Sequence, residues 1–152
     1  MALAPSILSA LQRYRMSLLD SDDCINLLRP LFVAWGLSGY DKLLEKKSIH
    51  KVAEISLINS YLMLHGHSLD LQNPQSHFEP FYAVQAIEEI TRQEAMCTFV
   101  IIAAQGLVAL NSDKLSERFI RDLVDEQTEE EASANGMLER TRLLYSDNII
   151  IN

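Results

Sequence analysis

Residues 119–144, FIRDLVDEQTEEEASANGMLERTRLL, predict an amphipathic helix whose apolar stripe is interrupted by polar residues. Apolar side chains recur at helical spacing on both sides of the interruption, at Ile120, Leu123, Val124 and Leu138. Between them the stripe passes through Gln127 and Glu130, one turn apart, with Glu126 and Glu129 beside them. Because burying an unpaired carboxylate costs several kcal/mol, this pattern indicates a polar site inside a helical bundle.

Helical periodicity also divides the rest of the chain. Three further helices are predicted at about residues 6–35, 40–65 and 81–110, and the last helix follows a break at 111–113. The connection around residues 35–40 is short, whereas residues 67–80 are polar, contain two prolines and show no periodicity. A connection of that length can cross a bundle and make the second and third helices parallel. The sequence therefore predicts one all-α domain over residues 1–152, a four-helix bundle with one long crossover and a tail too short for a full fifth helix.

Composition narrows the classes of partner. The formal net charge of 13 − 21 = −8 argues against nucleic acid and anionic membranes, which bind basic surfaces. Cys24 and Cys97 have no metal-type spacing, so we expect two buried thiols in a reducing compartment. No secretory signal is recognised, and no apolar run is judged long enough to cross a bilayer. The expected location is the cytoplasm.

Two other predicted helices place charged residues near the same polar layer. Glu94 is the single charged residue of the third stripe, and Lys51 and Glu54 lie at or near the inner face of the second helix, beside His50. Carboxylates gathered inside a bundle need a cation, which can be a metal or a basic side chain. The alternative is a polar layer that fixes the helix register and binds no ligand.

Several segments resemble the ferritins, and the bacterial non-haem type is the nearest. Residues 36–43, GLSGYDKL, resemble the ferritin turn between the first and second helices, and residues 58–66, INSYLMLHG, resemble the end of its second helix. The most specific match is VDEQTEEE at residues 124–131, which resembles the fourth-helix pattern of Glu-Gln, one residue, then Glu-Glu. The resemblance implies the ferritin-like bundle, with its ligands on facing helices.

The resemblance also implies oxidation of ferrous iron at paired metal sites. The third- and fourth-helix ligands of ferritins fall on matching residues here: Glu94, Gln127 and Glu130. The first-helix acid falls instead on Leu18, and the second-helix motif ExxH becomes KVAE at residues 51–54. A bridging carboxylate is thus replaced by the ammonium of Lys51, and a histidine by Glu54.

A third, outer iron position of bacterial ferritins is better preserved. Its fourth-helix acids fall on Glu126, Glu129 and Glu130, and His50 stands where the second-helix acid would be. Glu54 could also join Glu94, His50 or the fourth-helix acids in one weak site, and the ligand types do not distinguish iron from manganese or zinc.

Lys51 changes the expected chemistry of the inner site. At an effective dielectric constant near 20, like charges about 4 Å apart repel by roughly 4 kcal/mol per unit charge. We therefore expect Lys51 to pair with Glu94, Glu130 or both, in place of two metals.

The expected function is that of a subunit in an iron-storage oligomer, with slow or absent oxidation of ferrous iron. The chain would assemble with itself or with a ferroxidase-competent ferritin subunit. Two alternatives remain, a non-catalytic bundle for structure or protein interaction and a single-metal or di-iron oxidoreductase outside storage.

Overall fold

The computed structural model describes residues 3–69 and 78–145. They form helices α1 (Pro5–Ala34), α2 (Ser38–Leu64), α3 (Ala83–Asn111) and α4 (Lys114–Leu144), and these described ranges contain no strand. The predicted boundaries agree with these to within a few residues. The all-α bundle with a long connection between its second and third helices is confirmed.

Local sequence accounts for the helix ends. Pro5 is the first residue of α1. Its missing backbone N–H costs no hydrogen bond there, because the first N–H groups of a helix have no acceptor within the helix. Gly36 and Gly66 follow the ends of α1 and α2 with φ angles of +79° and +81°, a backbone conformation that glycine adopts without strain. Asp113 caps α4, and its carboxylate accepts a hydrogen bond of 3.1 Å from the backbone N–H of Ser116.

The helices enclose two apolar clusters separated by a polar layer. α1 packs against α2 and α3, and α3 packs against α4. One cluster surrounds Leu11 and Ile101, and the other surrounds Phe32 and Ile87. Cys97 belongs to the first cluster and Cys24 to the second, and both thiols are buried, as predicted.

The contact between α2 and α4 is made through aromatic and polar side chains. The rings of Tyr61 and Phe119 are stacked, with their centroids 4.0 Å apart. The Tyr61 hydroxyl lies 2.6 Å from Ser116 Oγ. These contacts hold α2 and α4 together at one end of the bundle and leave room between them nearer the polar layer.

Two sequence-based expectations concern the tail and the apolar third helix. The short tail lies almost wholly in residues 146–152, outside the described part of the chain. The judgement that no segment reaches transmembrane length is corrected for α3, which is long and apolar enough by composition to cross a bilayer. This is weak evidence for a membrane span, because apolar helices of soluble bundles share that composition, and α3 contacts α1 and α4.

Candidate functional site

A buried ion pair lies at the centre of the polar layer. Lys51 Nζ of α2 contacts Glu94 Oε1 of α3, and the two side chains are 1% and 0% exposed. Burial, the largest single effect, would lower the pKa of Lys51, but the charge and hydrogen bond of Glu94 together with Cys97 and Glu130 outweigh it and raise that pKa above its ordinary value. The lysine therefore carries a permanent positive charge inside the bundle.

The other helices complete the hydrogen bonding of Glu94. Ser21 of α1 donates its hydroxyl to Glu94 Oε1 over 3.1 Å. Gln127 of α4 donates through Nε2 to the Glu94 backbone carbonyl at 3.0 Å and to Glu94 Oε2 at 3.4 Å. All four helices thus contribute one polar side chain to this cluster, which consists of Ser21, Lys51, Glu94 and Gln127. A buried charge pair is stabilised when its remaining lone pairs are bonded in this way.

A second acid, Glu54, lies one turn along α2 from Lys51. The Tyr14 hydroxyl lies 2.7 Å from Glu54 Oε1 and 3.3 Å from Gln127 Oε1, which links the acid to the central cluster. Burial raises the pKa of Glu54 to about 7, despite the opposing effects of the Tyr14 hydrogen bond and the Lys51 charge. Burial and the nearby Glu54 carboxyl also raise the pKa of Tyr14 well above its usual range.

Glu130 of α4 is held by a different lysine. Lys47 Nζ of α2 lies 3.1 Å from Glu130 Oε2, and His50 Nδ1 lies 3.1 Å from Glu130 Oε1. Burial raises the pKa of Glu130, but Lys47, His50 and Lys51 together outweigh it and hold that pKa below the ordinary value. Glu130 is therefore a carboxylate at neutral pH, paired with an ammonium one helical turn from Lys51.

A cavity of about 370 Å³ opens between α2 and α4 beside these groups. Its wall is mainly apolar, with polar groups at its inner end and rim, and it is lined by His50, Ala53, Glu54, Leu57, Phe119, Asp122, Leu123 and Glu126. The cavity brings Glu54 and His50 near two fourth-helix acids, Asp122 and Glu126, of which Glu126 belongs to the predicted site.

The predicted site residues are only partly brought together. Glu94 and Gln127 are in direct contact, as predicted, whereas Glu130 bonds to Lys47 and His50. Glu126 and Glu129 are exposed on α4. Across residues 3–69 and 78–145, no group of three or more His, Cys, Asp or Glu side chains is arranged to hold a metal ion. The full ligand set of Glu94, Gln127, Glu130, Glu126, Glu129, Glu54 and His50 thus stays a prediction.

Sequence reasoning missed two members of the site. Lys47 lies four residues before Lys51 on the same face of α2, so helical spacing could have identified it. Tyr14 is spaced like an apolar residue of the first helix, and only the structure shows that its hydroxyl bonds to Glu54. Leu18, at the position of the ferritin first-helix acid, is fully buried in the apolar cluster.

Solved structures of ferritins resemble this chain over almost its whole length, although no protein-family model and no curated protein matches the sequence. An open-pore ferritin from the archaeon Archaeoglobus fulgidus is 21% identical, with a TM-score of 0.83 over 96% of this chain and 90% of that one. A humanized archaeal ferritin is 22% identical, with a TM-score of 0.87 over 96% of this chain and 89% of that one.

A bacterial protein is also similar to this chain in structure over almost its whole length. The bacterioferritin of Rhodobacter capsulatus, described with a metal-free dinuclear site and a haem iron, is 15% identical. Its TM-score is 0.88, over 95% of this chain and 91% of that one. The chain therefore has the fold of the ferritins.

Proposed function

We propose that this chain is a subunit of an iron-storage oligomer in which lysine–carboxylate pairs replace the internal oxidation centre. The proposal is supported first by the likeness to ferritins over about nine tenths of their length, 90% for the Archaeoglobus fulgidus ferritin and 91% for the bacterioferritin. It is supported also by the match of residues 124–131 to the ferritin fourth-helix pattern. Iron is then the cargo of the assembly.

The pairing of two lysines with two acids carries the proposal. Glu94 and Glu130 are two of the positions that the resemblance gives to metal ligands. In this chain Lys51 pairs with Glu94, and Lys47 pairs with Glu130. A ferrous ion entering this layer would meet two ammonium groups, each repelling it by several kcal/mol at contact distance. Leu18 stands where the resemblance places a first-helix carboxylate, so the layer also lacks an oxygen ligand of the hard type that such ions prefer. The donor set thus does not fit a dinuclear iron centre.

Iron storage does not require every subunit to oxidise iron. The exposed acids Glu126 and Glu129, with His50, leave an acidic surface on α2 and α4 at which ferrous or ferric ions can collect. A partner chain with an intact centre would supply the oxidation in a mixed assembly. A pure assembly of this chain would mineralise iron slowly, at its acidic surface alone.

The test combines assembly size with iron kinetics. The purified chain is first sized by light scattering behind a size-exclusion column, and ferrous iron is then added in air at increasing ratios. We expect a large hollow assembly that retains iron and oxidises it without a saturable fast phase. A fast phase saturating near two irons per subunit would overturn the proposed loss of the centre.

Assembly size also separates the alternatives. A monomer that binds no iron would contradict storage and favour a non-catalytic bundle. A small oligomer holding tightly bound iron would contradict storage as well and favour an oxidoreductase.

A further inference from the structure

The cavity between α2 and α4 has the size and lining of a small-molecule site. Its volume of about 370 Å³ is in the usual range of such sites, and none of the four side chains of the lysine–carboxylate pairs lines it. Half of its lining residues are apolar, three are acids, and none is a lysine or an arginine. A ligand for this cavity should therefore be partly apolar and should carry positive charge.

The inner end of the cavity is formed by a carboxyl group with one unbonded oxygen. Glu54 is only 5% exposed. Tyr14 donates its hydroxyl to Glu54 Oε1 over 2.7 Å, whereas Glu54 Oε2 receives no hydrogen bond from any residue in the ranges 3–69 and 78–145. A buried carboxylate oxygen without a donor costs free energy. Because Glu54 lines the cavity, a ligand bound there can supply that donor.

The two lysines of the polar layer are already bonded to other acids. Lys51 contacts Glu94, and Lys47 Nζ lies 3.1 Å from Glu130 Oε2. Within the described part of the chain, no basic side chain lies within ion-pair distance of Glu54. Glu54 can therefore accept a cation that the protein itself does not supply.

The mouth of the cavity carries two further acids. Asp122 and Glu126 lie four residues apart on α4, so they share one face of the helix and repel one another. Both are exposed, in contrast to the buried Glu54. A cation placed between them would relieve their repulsion. The cavity thus has one negative end inside the bundle on α2 and another at its mouth on α4.

The arrangement of these acids favours an organic cation over a metal ion. Across residues 3–69 and 78–145, no three His, Cys, Asp or Glu side chains are placed to hold one metal. The cavity has the volume of roughly a dozen water molecules, far more than one ion fills. Its wall includes Leu57, Phe119 and Leu123, which would contact the apolar part of a ligand. An elongated molecule with charged ends and an apolar middle matches this lining.

From these observations we infer that the cavity binds a linear aliphatic diamine, a chain of methylene groups with an ammonium at each end. One ammonium donates to Glu54 Oε2, and the other lies between Asp122 and Glu126. The methylene groups pack against Leu57 and Leu123. Hydrogen bonds from an ammonium to a carboxylate are charge-assisted and therefore strong. The inference goes beyond the proposed function, because it concerns an organic ligand and needs neither iron nor an oligomer.

Calorimetry with hexamethylenediamine tests the two-ended ligand. The purified chain is titrated at neutral pH and low ionic strength, where screening is weak. Hexylamine lacks the second ammonium and hexanediol lacks both, so they are the matched ligands. We expect one diamine to bind per chain, at least tenfold more tightly than hexylamine, and the diol not to bind. Equal affinities of the diamine and hexylamine, or no saturable binding of the diamine, overturn the inference.

Charge variants locate the ligand. Glu54→Gln keeps the size of the side chain and an acceptor for Tyr14, but it loses the charge. It should weaken the binding of hexamethylenediamine at least tenfold, with unchanged helix content. Glu139→Gln removes the same charge from an exposed position of α4 outside the cavity, and it should leave the affinity unchanged. Equal affinities of these two variants would contradict a site at Glu54.

Filling the cavity gives an independent measurement. Ala53 lines the cavity, so the larger side chain of Ala53→Leu should abolish diamine binding. Ala132→Leu, at an exposed position of α4 outside the cavity, is the control and should bind the diamine like the wild type. Magnesium chloride equimolar with the diamine should not displace it. Displacement by magnesium would show attraction by charge alone, and undiminished binding to Ala53→Leu would place the diamine elsewhere; either result overturns the inference.

Discussion

The Lys51–Glu94 pair gives the sharpest prediction for single residues. Lys51→Met would leave the Glu94 carboxylate buried without its cation, which should lower the free energy of unfolding by about 3–5 kcal/mol. The double variant Lys51→Met/Glu94→Gln removes both charges and keeps an acceptor for Ser21, so it should recover most of that loss. Urea unfolding of the wild type, both single variants and the double variant measures the coupling. Additive losses would show that the two groups do not interact.

Glu54 predicts how stability depends on pH. Its pKa is raised from 4.5 to about 7 in the folded chain, so between these values the folded state binds more protons than the unfolded state. This group therefore makes the free energy of unfolding fall as pH rises from about 4.5 to about 7, and the loss levels off above that. Glu54→Gln removes the titration and keeps an acceptor for the Tyr14 hydroxyl.

The variant should thus gain stability over the wild type between pH 5 and pH 8, by as much as about 3 kcal/mol. Thermal unfolding of both proteins across that range measures the difference. A constant difference between the two proteins would contradict the raised pKa.

Sequence reasoning about single residues succeeded where a polar residue interrupted an apolar stripe. Glu94 and Gln127 each lie on such a stripe, and their contact was predicted from spacing and from the ferritin resemblance. The partner of Glu130 could not be predicted with the same certainty. Glu130 stands at the edge of its stripe, and the distance between α2 and α4 decides which lysine its flexible side chain meets. In the folded chain this partner is Lys47.

Among the helices, the turn signals placed the boundaries well. Asp113 caps α4 directly after the break predicted at residues 111–113, and Gly66 follows the end of α2, which was predicted near residue 65. The register of each helix then follows from its apolar stripe, because a shift of one residue would turn the stripe by about 100°. The polar contacts between α1 and α2 were harder to foresee, since Tyr14 and Glu54 come together only when two helices pack in a particular register.

The assigned register of α1 and α2 can be tested by restoring the implied ligands. In the triple variant Leu18→Glu/Lys51→Glu/Glu54→His, the first-helix acid and the ExxH motif are re-created opposite Glu94. This variant should oxidise ferrous iron with a saturable fast phase that the wild type lacks. Leu18→Gln/Lys51→Gln/Glu54→His is the matched control, with polar side chains of similar size and without the two carboxylates. A folded triple variant no faster than the control would show that the register is wrong.

At the scale of the molecule, the polar layer divides the core of residues 3–69 and 78–145 into two apolar clusters. We propose that the positive charges of two lysines replace those of metal ions in this layer, while the layer keeps its position in the fold. Overall charge and composition predicted an all-α acidic domain, because long stretches without turn residues favour helices. They could not reveal that apolar side chains of α3 such as Phe99 are exposed, since the same residues would suit a helix buried on all sides.

The central claim is that two lysines supply the positive charge that iron would otherwise bring to Glu94 and Glu130. If Lys51 and Lys47 do so, ferrous iron should not bind between these two acids. An anomalous-diffraction map from crystals soaked anaerobically in ferrous iron measures this. We expect no metal peak in the polar layer, with Lys51 still paired to Glu94 and Lys47 to Glu130. Two metal peaks within bridging distance of each other beside Glu94, with the lysines displaced, would contradict the exchange of metal for lysine.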